Sequence, residues 1–398
     1  MKQGWTYKKL GEIAVSMADG PFGSNLKKEH YTNKREVRII QLSNIGEDGW
    51  REDNQKYTTF EHLKTIQRSE VTPGDIVIAK MMPAGRAIIC PNNESKFVLS
   101  SDAVRVALNN DLDNKFICYS INSSFFRKQV YENVTGSGRV RTSLTKLRDC
   151  KIGVPSLSEQ QRIVERLDAA FAHIDELKEK AEKQLSEARA LFQRALTKAM
   201  EPKEGWEEKK MKDVCRIERG GSPRPIKDFI TNDSNGLNWI KIGDTDPQGK
   251  YIYSTKEKIK PEGLRKSRWV EEDEFLLSNS MSFGRPYILK TNGCIHDGWL
   301  VLRDYQKNLF IDFFYYMLLS SNVQKQFKFK AQGSTVSNLN TDRVADVNIS
   351  YPSLSEQQRI VSRLDSLSEN VRKYEEIQRK IVSECDALKQ ALLRKVFE

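Results

Sequence analysis

At 398 residues and 45.9 kDa the chain is long enough for two or three domains, and 38% hydrophobic with 9% aromatic residues excludes disorder by composition. Lys and Arg total 65 against 54 Asp and Glu, a formal charge of +11 that suits a polyanionic partner without proving one. The six cysteines stand singly with no C-x-x-C pair, and the four histidines show no ligand spacing, which argues against a disulfide framework and structural zinc and for reduced thiols.

The N-terminal MKQGWTYKKLGE has no apolar stretch behind it, and no run of 18 apolar residues follows anywhere. The expectation is a cytoplasmic protein with no membrane span and no standard export signal. Gly4-Trp5 leads into a short element ending at Ile13; Gly205-Trp206, 201 residues on from Trp5, leads into one ending at Ile217. Next come two glycine-rich turns, Gly20-Pro21-Phe22-Gly23-Ser24 and Gly220-Gly221-Ser222-Pro223-Arg224, which permit tight turning and close approach of backbone to another surface.

Strand-like runs then recur in the same order. Residues 39–44 (IIQLSN) align with 239–244 (WIKIGD), and 74–78 with 273–277; Gly85-Arg86 aligns with Gly284-Arg285, and 97–106 with 294–302. A helix is expected over 114–130 and again over 309–327, where Phe313, Phe314, Met317 and Leu318 recur at helical spacing as core. Gly136-Ser137 and Gly333-Ser334 close each body before segments ending at Ile152 and Ile349, and the offset is then constant at 197.

Both halves reach the same ten residues, Pro-Ser-Leu-Ser-Glu-Gln-Gln-Arg-Ile-Val, at 155–164 and 352–361. Ser158 with Gln161, and Ser355 with Gln358, have capping-box spacing for a helix start. Apolar residues then step by three and four, including Ile163, Leu167, Ile174, Leu177 and Leu185 in the first copy and Ile360, Leu364, Leu367, Val371, Ile381 and Leu388 in the second, with polar Gln378 between. So narrow a seam predicts helix-on-helix packing along the length. Alanines at 170, 181, 188 and 195 against bulkier Leu367 and Leu388 suggest small residues facing large ones; the alternative is room for a helix from another protein. The fold class expected is α+β: two similar globular domains, residues 1–154 and 201–351, separated by helical spacers 155–200 and 352–398 packed as an antiparallel coiled coil with pseudo-two-fold duplication. Helices of about 40 residues are roughly 60 Å long, a ruler between two reading bodies.

Reaction signatures are missing. There is no G-x-x-x-x-G-K-[ST] phosphate loop, G-x-S-x-G elbow, H-E-x-x-H zinc motif or G-x-G-x-x-G fingerprint, and no Asn/Asp-Pro-Pro-aromatic tetrad of an amino-methyltransferase. His296-Asp297 is the one pair suggestive of a general base, with no nucleophile marked beside it.

Basic side chains beside turns are the candidate DNA contacts. In the first half these are Lys27, Lys28, Lys80, Arg86, Arg139 and Arg141; in the second, Arg219, Arg224, Lys241, Arg265, Arg285, Lys328 and Lys330. Arg86 and Arg285 stand out because each follows a glycine at a matched point, and arginine pairs bidentately with guanine where lysine mainly meets phosphate. Asn44, Asn279, Ser280 and Ser282 are polar candidates for base edges. A shared framework with divergent loops implies a two-part, asymmetric target.

The duplicated ten-residue segments, the helices after them, Gly20-Pro21-Phe22-Gly23-Ser24, and Gly220-Gly221-Ser222-Pro223 leading to Trp239-Ile240 make the chain, over essentially its whole length, resemble the DNA-specificity subunit of type I restriction-modification enzymes. That resemblance implies two target-recognition domains, each reading half of a bipartite site, and an antiparallel coiled coil that sets the gap and holds two modification subunits. It implies a non-catalytic chain binding no cofactor or metal itself. S-adenosylmethionine for adenine methylation, and ATP with Mg for translocation and cleavage, would belong to the modification and restriction partners. Two other classes stay open: a coiled-coil scaffold whose basic surface reads no sequence, and a DNA methyltransferase or nuclease with an unmarked site.

Overall fold

The computed structural model describes residues 2–132, 141–246, 249–279, 283–331 and 339–398. The chain divides into two compact units, Met1–Lys183 with Gln378–Glu398, and Gln184–Ile377. Each unit therefore holds one globular body together with part of each long helix, Leu157–Ala199 and Leu354–Phe397.

In the first unit Thr6–Lys9 pairs antiparallel with Lys151–Val154, tying the start of the body to the strand that feeds the first long helix. A four-stranded sheet follows the order Ala14–Asp19, Ala103–Leu108, Ile76–Ala79, Ala87–Ile89. A five-stranded sheet runs Tyr31–Thr32, Tyr57–Thr58, Val37–Ile40, Phe97–Leu99, Glu70–Val71, with its third and fourth strands parallel. Fully buried Ile, Val and Phe side chains on these short strands hold the two sheets together, as β-branched and aromatic residues on pleated surfaces do.

The second unit repeats the plan. Glu207–Lys210 pairs with Asn348–Tyr351, and Leu237–Ile240 runs parallel to Gly293–Ile295 with Trp239 opposite Cys294. Its counterpart of the four-stranded sheet has five strands, because Tyr251–Ile252 adds itself parallel to Pro286–Leu289 at the edge.

Three local expectations are corrected. The strand expected over 39–44 ends at Ile40, and Leu42–Asn44 is a 3-10 turn because the Asn44 side chain accepts from Gln41 N–H at 2.9 Å and donates to Arg51 O at 2.9 Å. The copy does the same, with Ile242–Asp244 closed by Asp244 accepting from Lys241 N–H at 2.8 Å. The single strands over 97–106 and 294–302 are each two strands in different sheets joined by a turn. The single helix in each body is two, Asn114–Asn122 then Ser124–Glu132, and Ile311–Leu319 then Ser321–Ala331. Extended backbone at Ser123 and Ser320 interrupts them, with Ser123 Oγ donating to Ser120 O at 2.6 Å.

The repeated segment starts its helix two residues earlier than Ser158 and Ser355 suggest. Helix begins at Leu157 and Leu354, so Ser156 and Ser353 hold the cap position: Gln160 N–H donates to Ser156 O and Gln357 N–H to Ser353 O, each at 3.0 Å. Glu159 N–H donates to Ser156 Oγ at 3.4 Å, while the Glu159 carboxylate accepts from Arg162 at 2.8 Å. The central glutamine does a different job. Gln160, 1% exposed, accepts from Asp113 N–H and donates to Pro155 O, both at 3.0 Å. Gln357 accepts from Phe310 N–H at 2.8 Å and donates to Asn308 O and Pro352 O at 2.8 Å. These bonds fix the angle at which each body joins its helix.

Within each unit the two helical segments run antiparallel. In the first, Lys389 meets Asp175 at 2.5 Å and Lys178 meets Asp386 at 2.6 Å, so three residues forward on one helix is three back on the other. In the second, Arg189 meets Glu375 at 3.1 Å. Val164, Leu167, Leu393 and Phe397 belong to the core of the first body, and Leu196, Met200, Ile360, Val361 and Leu364 to that of the second.

Of the expected seam residues, Leu167, Ile174, Ile360 and Leu364 are buried, while Ile163, Leu185, Leu367, Val371 and Ile381 are partly so. Leu177 and Leu388 are corrected: at 55% and 49% exposure they lie off the seam, and their neighbours Lys178 and Lys389 face inward. Heptad position outranks hydrophobicity here, because a lysine stem packs along apolar surface while its ammonium group reaches out to carboxylates. Lys389, 8% exposed, lies between Asp175 at 2.5 Å and Asp48 at 3.8 Å. Ala181 and Ala188 are buried and Leu388 is not, so pairing of small with large residues does not extend to that leucine.

Candidate nucleic-acid interface

The two bodies share one backbone cradle where the parallel strand ends. In the first, Gly20 N–H donates to Ala103 O at 3.0 Å, Ser100 N–H to Ile40 O at 2.9 Å, Lys80 N–H to Asp102 O at 2.8 Å and Thr142 N–H to Lys80 O at 2.8 Å. In the second, the same bonds run Gly220 to Trp299 at 3.0 Å, His296 to Ile240 at 3.5 Å, Asn279 to Gly298 at 3.0 Å and Leu339 to Asn279 at 2.9 Å. The glycines are steric necessities. A Cβ on Gly20 would stand 1.7 Å from Ser100 O, and one on Gly220 2.2 Å from His296 O.

On this common backbone the side chains differ. In the first body Lys80 Nζ meets Asp19 Oδ1 at 2.7 Å, Arg141 meets Asp102 at 2.8 Å, and Phe22 projects from the glycine turn at 83% exposure. In the second, Asp297 is the hub. Ser222 Oγ donates to its carboxylate at 2.5 Å, Arg224 stands 3.7 Å from it, and its backbone carbonyl accepts from Asn279 Nδ2 at 2.9 Å and Arg219 Nε at 3.2 Å. The Ser222 hydrogen bond, ahead of any other cause, holds the Asp297 carboxyl below its ordinary range and so ionised near neutrality.

His296 is not placed as a base. Ile242 N–H points at Nε2 from 3.2 Å and Gly298 N–H at Nδ1 from 2.9 Å, so the one nitrogen of a neutral ring that can accept is engaged by the turn's backbone. Burial lowers its pKa, keeping the ring neutral.

The expected basic contacts divide by burial. Lys80 and Arg86 are corrected as surface contacts. Lys80 is 7% exposed and paired with Asp19; Arg86 is 9% exposed and donates to Met82 O at 2.6 Å. Arg285 is half-buried over the Tyr287 ring at 5.5 Å. The matched glycines before these arginines, with φ of +86° and +79°, mark a turn that aims both guanidinium groups back into the body. Asn44 is buried and spent on its own turn.

Lys27, Lys28, Arg141, Arg219, Arg224, Arg265 and Lys328 are exposed. Lys27 lies 3.8 Å from Glu29, Lys241 2.5 Å from Glu257 and Lys330 2.6 Å from Asp346. The structure brings Arg219 and Arg224 together at Asp297, with Asn279, and brings Lys80 and Arg141 to the matching cradle; the others are dispersed. Arg139, Ser280 and Ser282, like the turns at Gly136-Ser137 and Gly333-Ser334, lie outside the described residues. Sequence reading passed over Asp297 as a hub, and over Ser222 and Phe22 as side chains at one position; that Gly20 and Gly220 align was the signal for the last two.

No helix among the described residues is long and apolar enough to cross a membrane, and no cluster of three potential metal ligands occurs among them.

A family model described as the type I restriction modification DNA specificity domain matches residues 2–187 and again 203–381. The chain is 23% identical over 438 aligned residues to the type I restriction enzyme StySPI specificity subunit of Salmonella potsdam, covering 100% of this chain and 89% of that one. It is 28% identical over 189 residues to the MjaIX specificity subunit of Methanocaldococcus jannaschii, where the match spans 45% of this chain and only 42% of that protein. Among solved structures, a chain from work on complex assembly and conformational transition of the type I R-M system superposes with a TM-score of 0.78 at 20% identity, covering 100% of this chain and 98% of that one. The HsdS subunit from Thermoanaerobacter tengcongensis gives 0.55 at 20% identity, covering 100% and 97%. These likenesses extend to the fold.

Proposed function

The chain belongs to the type I restriction-modification DNA specificity family, and on that premise we propose that it recognises a bipartite, asymmetric DNA sequence, one half-site for each body. The carrying observation is the cradle: the same set of backbone hydrogen bonds carries Phe22, Lys80, Ser101 and Asp102 in one body and, at the matching positions, Ser222, Asn279, Asp297 and Gly298 in the other. A duplicated frame with substituted side chains is what reading two different half-sites requires. Exposed Lys27, Lys28, Arg265 and Lys328 supply phosphate contacts that hold register without selecting sequence.

In this reading the chain is the non-catalytic member of its complex. It positions two modification subunits and the restriction subunits on double-stranded DNA. S-adenosylmethionine serves the former and ATP with Mg the latter. The long helices set the gap between half-sites.

Mapping adenine methylation across the genome with the gene present and deleted tests this. Loss of a two-part motif of fixed gap on deletion supports it; an unchanged map overturns it. Specific binding above nonspecific by orders of magnitude at controlled salt separates it from a scaffold with a basic surface. DNA modification or cleavage by the purified chain alone would establish a hidden active site instead. Insertion of one compatible heptad into both helices adds about 10 Å to each, and should change the preferred gap.

A further inference from the structure

We infer that base selection is made at the repeated cradle, by Arg224 and Asp297 in the second body and by Phe22 in the first. This rests on the two-part recognition proposed above and assigns it to particular side chains.

The argument starts from what the duplication keeps and what it changes. Where a residue supports the fold, both identity and contact are kept: Gln160 and Gln357 each donate to the carbonyl of the proline five residues before, and Tyr119 to Asp168 and Tyr316 to Asp365 are both 2.6 Å. At the cradle the backbone bonds are kept and the side chains are exchanged. Packing does not demand the exchange. Phe22 and Arg224 are 83% and, for its side chain, 82% exposed, so neither fills a core.

The chemistry offered differs accordingly. Asp297 is held ionised and fixed by Ser222, presenting an acceptor of the kind that takes a hydrogen from an exocyclic base amine. Arg224, 3.7 Å away and otherwise solvent-facing, presents the donor fork that matches guanine O6 and N7. The Asn279 side chain, 1% exposed, is locked by its bond to Asp297 O and stiffens the hub from below; its Oδ1 has no partner among the described residues. The second cradle thus reads donors and acceptors. At the Ser222 position the first body carries Phe22, whose ring has no polar atom and makes apolar contact with the thymine C5-methyl group.

The test is selection of bound duplexes from a library randomised in both half-sites, using the full chain assembled with its modification subunits. Wild type is compared with Arg224→Ala, Asp297→Asn and Phe22→Ala. Arg224→Ala and Asp297→Asn should each relax preference at one or two adjacent positions of one half-site by about tenfold or more, leaving the other half-site as in wild type. Phe22→Ala should relax a thymine preference in the other half-site only. Uracil in place of that thymine should weaken wild type and leave Phe22→Ala unaffected. The untouched half-site in each variant reports that the protein is folded, and the exposed Arg224 and Phe22 can be removed without opening a core. Uniform weakening over all sequences with a shallower salt dependence would make these phosphate contacts and overturn the assignment, as would unchanged preferences. If wild type itself selects no two-part sequence, the functional reading falls; if it does and the variants select identically, only the cradle assignment falls.

Discussion

The phenol of Tyr119 donates a 2.6 Å hydrogen bond to the carboxylate of Asp168, joining a helix of the first body to the first long helix, and Tyr316 with Asp365 repeats the bond in the second unit. A bond to an ionised acceptor in a partly buried place is worth about 1.5–3 kcal/mol. Tyr119→Phe should therefore lower stability by about 1–2 kcal/mol, and hydrogen exchange should localise the loss to the first unit. An equal loss of protection in both units would mean that the bond does not act locally.

Gln160, itself 1% exposed, satisfies two backbone groups, the part-buried Asp113 N–H and the buried Pro155 carbonyl. Gln160→Ala should cost about 2 kcal/mol or more, since each unsatisfied buried group costs about 1–3 kcal/mol. Gln160→Glu should be no milder, because a carboxylate accepts from Asp113 N–H but cannot donate to Pro155 O. Denaturant titration of the three proteins distinguishes this from a packing effect, under which Glu would rescue.

Gly20→Ala and Gly220→Ala place a methyl group against a carbonyl oxygen at 1.7 and 2.2 Å. Backbone must move in each case, at a cost of about 3 kcal/mol or more. Recognition of one half-site should be lost in each variant and the other retained. A Gly20→Ala protein that binds both half-sites normally would show the cradle to be dispensable.

Much of this is legible in the sequence. The ten-residue repeat carried the duplication because Gln160 and Gln357, with the serine before each helix, are spent on local bonds that tolerate little change. Side-chain direction was not legible. Arg86 and Arg285 share a glycine signal that marks a turn inward, and a turn is indistinguishable in sequence from one that aims outward. Leu177 and Leu388 looked like seam residues, yet a lysine with a carboxylate across the interface competes for the inward position on equal terms. Nor was the Asp297 hub visible, since its partners come from residues 219–224 and 279, distant in sequence and joined only through the sheet.

His296 gives a pH dependence whose sign follows from its surroundings. Burial comes first among the causes and lowers its pKa in the folded protein; Lys241 acts the same way, while Asp297 and Asp244 oppose it. Two backbone N–H groups face the ring nitrogens, and a neutral imidazole can accept from one of them where an imidazolium accepts from neither. The unfolded chain therefore takes up this proton at higher pH than the folded one. The stability associated with the neutral ring is complete above the ordinary histidine value of about 6.5, and declines as pH falls below it until the folded protein is protonated too. Unfolding midpoints of wild type measured from pH 7.5 to 5 should fall more steeply than those of His296→Asn. Parallel curves would mean that the ring stays solvated enough to titrate alike in both states, and the turn at the second cradle would then need another support.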